Sequence, residues 1–164
     1  MSTAYILDTN IFIEAHRRYY AFDICPGFWQ CLLIHGATGQ IISIDKVKAE
    51  LMQGNDALKD WAEGAPSSFF CRSATPQVIT SFSAMMMWVQ SNPQFHQQAK
   101  TEFAQVGDGW VAAYAQAHGA VLVTHEVFNP STKRKVPLPN VCQQFNVAYT
   151  DTFEMLRQLG VTFN

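Results

Sequence analysis

Tyr5-Ile6-Leu7-Asp8-Thr9-Asn10-Ile11-Phe12-Ile13 is the stretch that decides the fold class. Three apolar residues read as a short buried strand that ends at Asp8. Thr9 and Asn10 then supply short polar side chains that cap a helix carrying Ile11, Phe12 and Ala15. Strand, acidic turn and helix in immediate succession form the start of a βα unit, and the alternation continues downstream. Pro26 to Gly36 reads as a helix with Phe28, Trp29, Leu32 and Leu33, proline at its start and glycine at its end. Gln40 to Ile44 reads as a buried strand, after which Asp45 caps a helix with Val47 and Leu51 facing inward and Glu50 among them. Asp56 to Phe103 has a helical pattern, with starts at Asp56 and Thr75-Pro76 and no convincing strand. Asp108 opens a helix running to His118, with Gly119 as its C-cap. Ala120 to Val123 is a buried strand leading into Thr124-His125-Glu126. Beyond the loop-rich Asn129 to Asn140, a strand at Val147 to Tyr149 leads into a helix from Thr152 to Leu159. Strands alternating with helices predict a parallel α/β sheet.

At 164 residues the chain is the size of one domain, expected to span 1–164, with one ordinary core. It is 48% hydrophobic and only 15% charged, which leaves apolar surface for a partner. Thirteen acidic against eleven basic residues give a net charge of −2, which excludes a protein that coats nucleic acid through a general positive field. Cys25, Cys31, Cys71 and Cys142 show no C-x-x-C spacing and read as buried thiols of a cytoplasmic protein. The longest apolar runs, such as Ala84 to Val89, are far too short to cross a bilayer, so no membrane association is expected.

In an open parallel sheet, ligands bind beyond the carboxyl ends of the strands. The residues at those places here are acidic. Asp8 follows the first strand, Glu126 follows the Val121 to Val123 strand, and Glu50 and Asp108 lie near helix starts. Gathering such carboxylates costs Coulomb energy unless some take up protons or a divalent cation joins them. Oxygen ligands without a paired His or Cys favour Mg²⁺ or Mn²⁺ over Zn²⁺. At a phosphodiester such a cation lowers the pKa of an attacking water and offsets charge developing on phosphorus.

Ile6-Leu7-Asp8-Thr9-Asn10-Ile11-Phe12-Ile13 resembles the opening of PIN-domain proteins, a family that includes the VapC toxins of bacterial toxin–antitoxin pairs. Val47-Lys48-Ala49-Glu50-Leu51 resembles the family's helix with the second acid, and Asp108-Gly109-Trp110-Val111-Ala112-Ala113-Tyr114-Ala115 resembles the helix with the third. Val121-Leu122-Val123-Thr124-His125-Glu126 is similar to the strand end that offers a Thr or Ser and a further acid, with Glu126 where Asp is commoner. The pattern runs from about Tyr5 to about Leu159 and also resembles a PIN subgroup named only as a domain of unknown function. The resemblance implies an RNase H-like α/β/α sandwich with four or five parallel strands, endoribonuclease activity with Mg²⁺ or Mn²⁺, frequent homodimers and, for toxin members, a cognate antitoxin. Its implied catalytic and metal-holding set is Asp8, Glu50, Asp108 and Glu126.

Around that set, Asn10 and Thr124 are expected to orient a carboxylate or water, although capping explains Asn10 nearly as well. Lys133-Arg134-Lys135 and Arg17 are candidates for RNA phosphate contact, with an ordinary solvated loop as the equal alternative for the run. Asp151 reads as a helix cap, and His125 as a solvated histidine. The Met85-Met86-Met87-Trp88 patch reads as core with some interface. Two other functions stay open. One is a catalytically inactive PIN-fold module that binds protein or RNA. The other is an aspartyl phosphatase of the haloacid dehalogenase type, which needs a second Asp where this chain has Asn10.

Overall fold

The computed structural model describes residues 3–163 and contains a five-stranded sheet with the order β3-β2-β1-β4-β5. Its strands are β1 (Tyr5–Leu7), β2 (Ile41–Ile44), β3 (Phe70–Cys71), β4 (Val121–Val123) and β5 (Tyr149–Thr150), and every pairing is parallel. The central strands read as continuous apolar runs without polar alternation because helices cover both faces of the sheet. Ile6 pairs with Ile42 on one side and Leu122 on the other, and Leu7 pairs with Val123.

The helices are α1 (Thr9–Glu14), α2 (Pro26–Ala37), α3 (Asp45–Met52), α4 (Ala57–Gly64), α5 (Pro76–Ser91), α6 (Gln97–Gln105), α7 (Asp108–His118), α8 (Leu138–Gln144) and α9 (Thr152–Gln158). α1 passes directly into a π-helical turn, Ala15–Tyr19. In one group α1 packs on α3, α3 on α4, and α2 and α3 on β2; in the other, α5, α6 and α8 pack against α7, which lies on β1 and β4. This is the three-layer α/β/α, PIN-like sandwich that the strand–helix alternation and the resemblance predict.

One half of the core is aromatic. Phe12 lies 5.7 Å from Trp61 and 6.2 Å from Phe69, and Trp29 stacks on Phe22 at 4.2 Å. In the other half Phe82 stacks flat on Trp110 at 3.9 Å where α5 meets α7. Gly119 ends α7 in the left-handed conformation at φ 66°, as its place after His118 predicts.

The strand order has a consequence for function. From β1 the chain builds outward to β3, then crosses back to lay β4 and β5 on the other side of β1. β1 and β4 are therefore the switch point at which an open sheet has its crevice.

Four local readings need correction. Phe70–Cys71 is a strand inside the stretch read as wholly helical; two residues between Pro66 and Pro76 are too short for a period to register. Leu138–Gln144 is a helix that begins within the supposed loop, its Pro139 sitting in the first turn where no N–H is needed. Gly36 lies inside α2 rather than beyond it, and the left-handed residue is Gly39, at φ 77°. Cys31 and Cys142 are buried, but Cys25 and Cys71 are only half-buried; all four are free thiols. Among the described residues no helix is long and apolar enough to cross a membrane.

Candidate active site

Asp8 stands directly after β1 and Thr124 directly after β4, and the Leu7–Val123 register sets the two side by side. The Asp8 backbone N–H donates to the Val123 carbonyl at 3.3 Å, and the residue is only 1% exposed. Asp8, not Thr9 or Asn10, is the residue that caps α1: its Oδ1 accepts from the Ile11 N–H at 3.1 Å. Its Oδ2 is buried without a hydrogen-bond partner.

Thr124 shapes the turn after β4. Its hydroxyl oxygen accepts from the Glu126 N–H at 3.1 Å. Glu126 Oε1 accepts from Lys135 Nζ at 3.1 Å and from the Leu138 N–H at 3.4 Å, while Oε2, like Asp8 Oδ2, is buried and unpartnered. Asp108 is the first residue of α7, where the helix dipole favours a negative charge. Glu50, on α3, accepts at Oε1 from the Thr9 hydroxyl at 3.0 Å and from the Gly107 N–H at 3.2 Å.

The charges of these acids act on one another. Burial pushes the Asp8 carboxyl up to about 8, helped by the charges of Asp108 and Glu126; the nearby Thr124 hydroxyl and the Ile11 N–H offset only part of the rise. Burial likewise raises Asp108 to about 7, with Glu126 and Glu50 adding to it and Lys135 opposing it. Four of the sequence candidates thus share one electrostatic neighbourhood.

Beside them lies a cleft of about 290 Å³ whose walls include Thr9, Asn10, Glu50, Glu102, Asp108 and Lys135. The remaining candidates are dispersed. Arg17 does not line this cleft but an adjoining hollow, with His16, Asp56 and the shared wall residue Glu50. The Lys133-Arg134-Lys135 run splits: the Lys133 carbonyl accepts from the His96 N–H at 2.8 Å, Arg134 borders a neighbouring hollow with His96 and Gln98, and only Lys135 enters the cleft. His125 packs on Tyr19 at 5.6 Å and its Nε2 is 3.2 Å from the Thr152 hydroxyl, which gives it a structural place. Asp151 caps α9 by accepting from the Glu154 N–H at 2.8 Å.

A family model described as Domain of unknown function (DUF4411) matches residues 5–163. The chain belongs to the DUF4411 family. Among solved structures, a chain in the crystal structure of VapBC2 from Rickettsia felis, bound to a DNA fragment from their promoter, is similar at a TM-score of 0.54 and 14% identity. That match covers 91% of this chain and 98% of the other and shows a shared fold. A chain in the crystal structure of FitAcB from Neisseria gonorrhoeae matches at a TM-score of 0.48 and 18% identity, over 88% of this chain and 95% of that one. No curated protein matches the sequence.

In this DUF4411 chain Glu50 is held in place by Thr9, which the sequence marks only as a helix cap, and by Gly107, which it does not mark. A Cβ on Gly107 would collide with Glu50 Oε1, so only glycine lets the backbone come close enough to donate to that carboxylate. The glycine directly before Asp108 was the available signal. Gly107→Ala is expected to cost at most about 1 kcal/mol of stability, the loss of one hydrogen bond, because the atom it meets is the movable end of the Glu50 side chain, and to push that carboxylate aside. Thermal melting checks the first effect, and a crystal structure of the variant checks the displacement of Glu50.

Whether a divalent cation suits this DUF4411 site is tested by its donors. Among the described residues no three Asp, Glu, His or Cys side chains already surround one point as a finished cation site would. The donor set nevertheless fits a hard cation. Two buried carboxylate oxygens, on Asp8 and Glu126, lack any partner, and burial together with the neighbouring carboxylates raises Asp8 and Asp108, a conflict that a divalent cation would relieve.

Proposed function

We propose that this protein is a Mg²⁺- or Mn²⁺-dependent endoribonuclease, and that it is the toxin of a toxin–antitoxin pair, neutralised by a cognate antitoxin protein. The observation that carries the enzymatic reading is the burial of Asp8 beside Asp108 and Glu126 at the β1/β4 switch point. The arrangement raises the energy of the fold, so a ligand that relieves it is the physical reason for its existence. Asp8, Asp108 and Glu126 would hold the cation, with Glu50 as the fourth carboxylate. A bound cation supplies Lewis acidity and charge neutralisation at the phosphodiester.

The chain's own residues supply the rest. Thr9 and Gly107 fix the Glu50 carboxylate on the cleft wall, and Thr124 fixes the turn that carries Glu126. Asn10, exposed on the cleft wall beside Asp8, would meet the substrate's phosphate or ribose. RNA as the substrate, like the antitoxin, rests on the resemblance of the Ile6 to Ile13, Val47 to Leu51 and Asp108 to Ala115 strings to PIN toxins, with the shared fold in support. A homodimer has support of the same kind, and Met87, 73% exposed on a charge-free α5, offers apolar surface for contact.

The phosphatase alternative is disfavoured because Asn10 cannot serve as the second acid. The inactive-module alternative predicts that Asp8 is dispensable. Induced expression of wild type and Asp8→Asn, with growth and RNA ends followed together, separates these readings. Growth arrest with new RNA ends is expected for wild type alone; toxicity that survives the substitution contradicts the catalytic-toxin reading.

A further inference from the structure

The cleft contains a positive charge that the metal reading alone does not explain. Lys135 Nζ lies 3.1 Å from Glu126 Oε1, with the lysine side chain 60% exposed and the glutamate 12% exposed. Among the described residues this is the one ion pair formed by any of Asp8, Glu50, Asp108 and Glu126. Of the other nearby cations, Lys46 sits over the Trp110 ring at 5.2 Å, Arg134 borders an adjoining hollow, and Lys133 is not among the residues that line the cleft.

The loop that carries Lys135 is pinned on both sides. Asn140 Nδ2 donates to the Asn129 carbonyl at 2.8 Å, and the Asn129 N–H donates to Asn140 Oδ1 at 3.0 Å. Gln94 Nε2 donates to the Thr132 carbonyl at 2.8 Å. A fixed backbone with an exposed lysine stem lets the ammonium swing while its root stays at the cleft.

Building on the metal-nuclease reading, we propose that Lys135 is the resident counter-ion of the carboxylate cluster, competing with the divalent cation for Glu126 and, once displaced, holding the RNA phosphate in the cleft. The ammonium gives one positive charge to a cluster of four carboxylates and engages one oxygen of Glu126. A divalent cation brings two charges and a larger oxygen shell, so it wins at sufficient concentration. Lys135 thereby sets the concentration at which the site loads, and no ammonium remains on Glu126 in the loaded state.

The test is calorimetric titration of Mn²⁺ into metal-free wild type, Lys135→Met and Lys135→Arg, with Lys135→Gln as a second neutral variant. Both neutral variants are expected to bind Mn²⁺ about fivefold more tightly, and Lys135→Arg to stay within about twofold of wild type. Without cation the neutral variants should melt below wild type, because Glu126 then lacks its partner. Unchanged or weaker Mn²⁺ binding in both neutral variants overturns the competition. Absence of Mn²⁺ binding in every form, wild type included, overturns the metal reading itself and the proposal with it. A nuclease-resistant RNA oligonucleotide tests the second role: with Mn²⁺ present it should bind the neutral variants more weakly than wild type and Lys135→Arg, and equal binding overturns that role.

Discussion

Asp8→Asn is expected to lower RNA cleavage by a hundredfold to a thousandfold, on the order of what losing one group that stabilises transition-state charge costs, while making the metal-free protein more stable. The second half is the unusual one. Folding brings the Asp8 carboxyl from 3.8 to about 8. At about 1.4 kcal/mol per unit, keeping Asp8 ionised at pH 8 and above therefore costs the fold on the order of 5 kcal/mol. An Asn side chain keeps an oxygen to accept from the Ile11 N–H and has no charge to desolvate. Its amide nitrogen replaces an oxygen that had no partner, and a buried unpaired N–H costs about 1–3 kcal/mol. The net gain is about 2–4 kcal/mol, which for a chain of this size is roughly 4–16 °C in melting temperature. Thermal melting in EDTA at pH 8 checks it. A variant that loses activity and also melts lower would show that Asp8 serves the fold first.

The same electrostatics predict how stability depends on pH and on cation. Asp8 and Asp108 both have folded values, about 8 and about 7, above the 3.8 of the free carboxyl. Between those limits the folded chain binds more protons than the unfolded chain, so these two groups make stability fall as pH rises. Their contribution is fully favourable below about pH 4 and fully lost above about pH 8. Wild type in EDTA is therefore expected to lose stability relative to Asp8→Asn across pH 5 to 8.5. A divalent cation reverses the trend, because it must displace protons to bind and so binds more tightly as pH rises, by up to about tenfold per unit for each proton released. At a hundred times its dissociation constant it restores about 2.7 kcal/mol. Melting curves at pH 6 and pH 8, with EDTA or with excess Mg²⁺, check this; the Mg²⁺ increment should be larger at pH 8. An equal increment at both values would contradict a site built from raised carboxyls.

The sequence makes the acids legible and leaves their environment hidden. Asp8 stands out because an apolar run stops on it, and Glu126 because it follows another by three residues, and parallel pairing of β1 with β4 then joins the two strand ends. That pairing depends on the strand order, which local periodicity does not carry. β3 is invisible for the same reason: two residues, Phe70 and Cys71, become a strand because β2 has a free edge beside them. Tertiary packing likewise makes α8 out of Leu138 to Gln144, a stretch whose proline and asparagines read locally as loop. Lys135 appears in the sequence only as the last member of a basic run, and its separation from Lys133 and Arg134 is set by where the β4–α8 loop is pinned. Gly107 and Thr9 act on Glu50 across more than forty positions of chain, a relation that spacing rules for single elements do not reach.

Metal-dependent cutting of RNA by the carboxylates at the β1/β4 switch point is the proposed activity. Its most direct test is incubation of the purified, antitoxin-free protein with labelled single-stranded RNA in Mg²⁺ or Mn²⁺, alongside Asp8→Asn and an EDTA control. Cleavage by wild type with cation, abolished by either EDTA or the substitution, is the predicted result. Cleavage that persists in EDTA or in Asp8→Asn, or none by wild type with either cation, would contradict it.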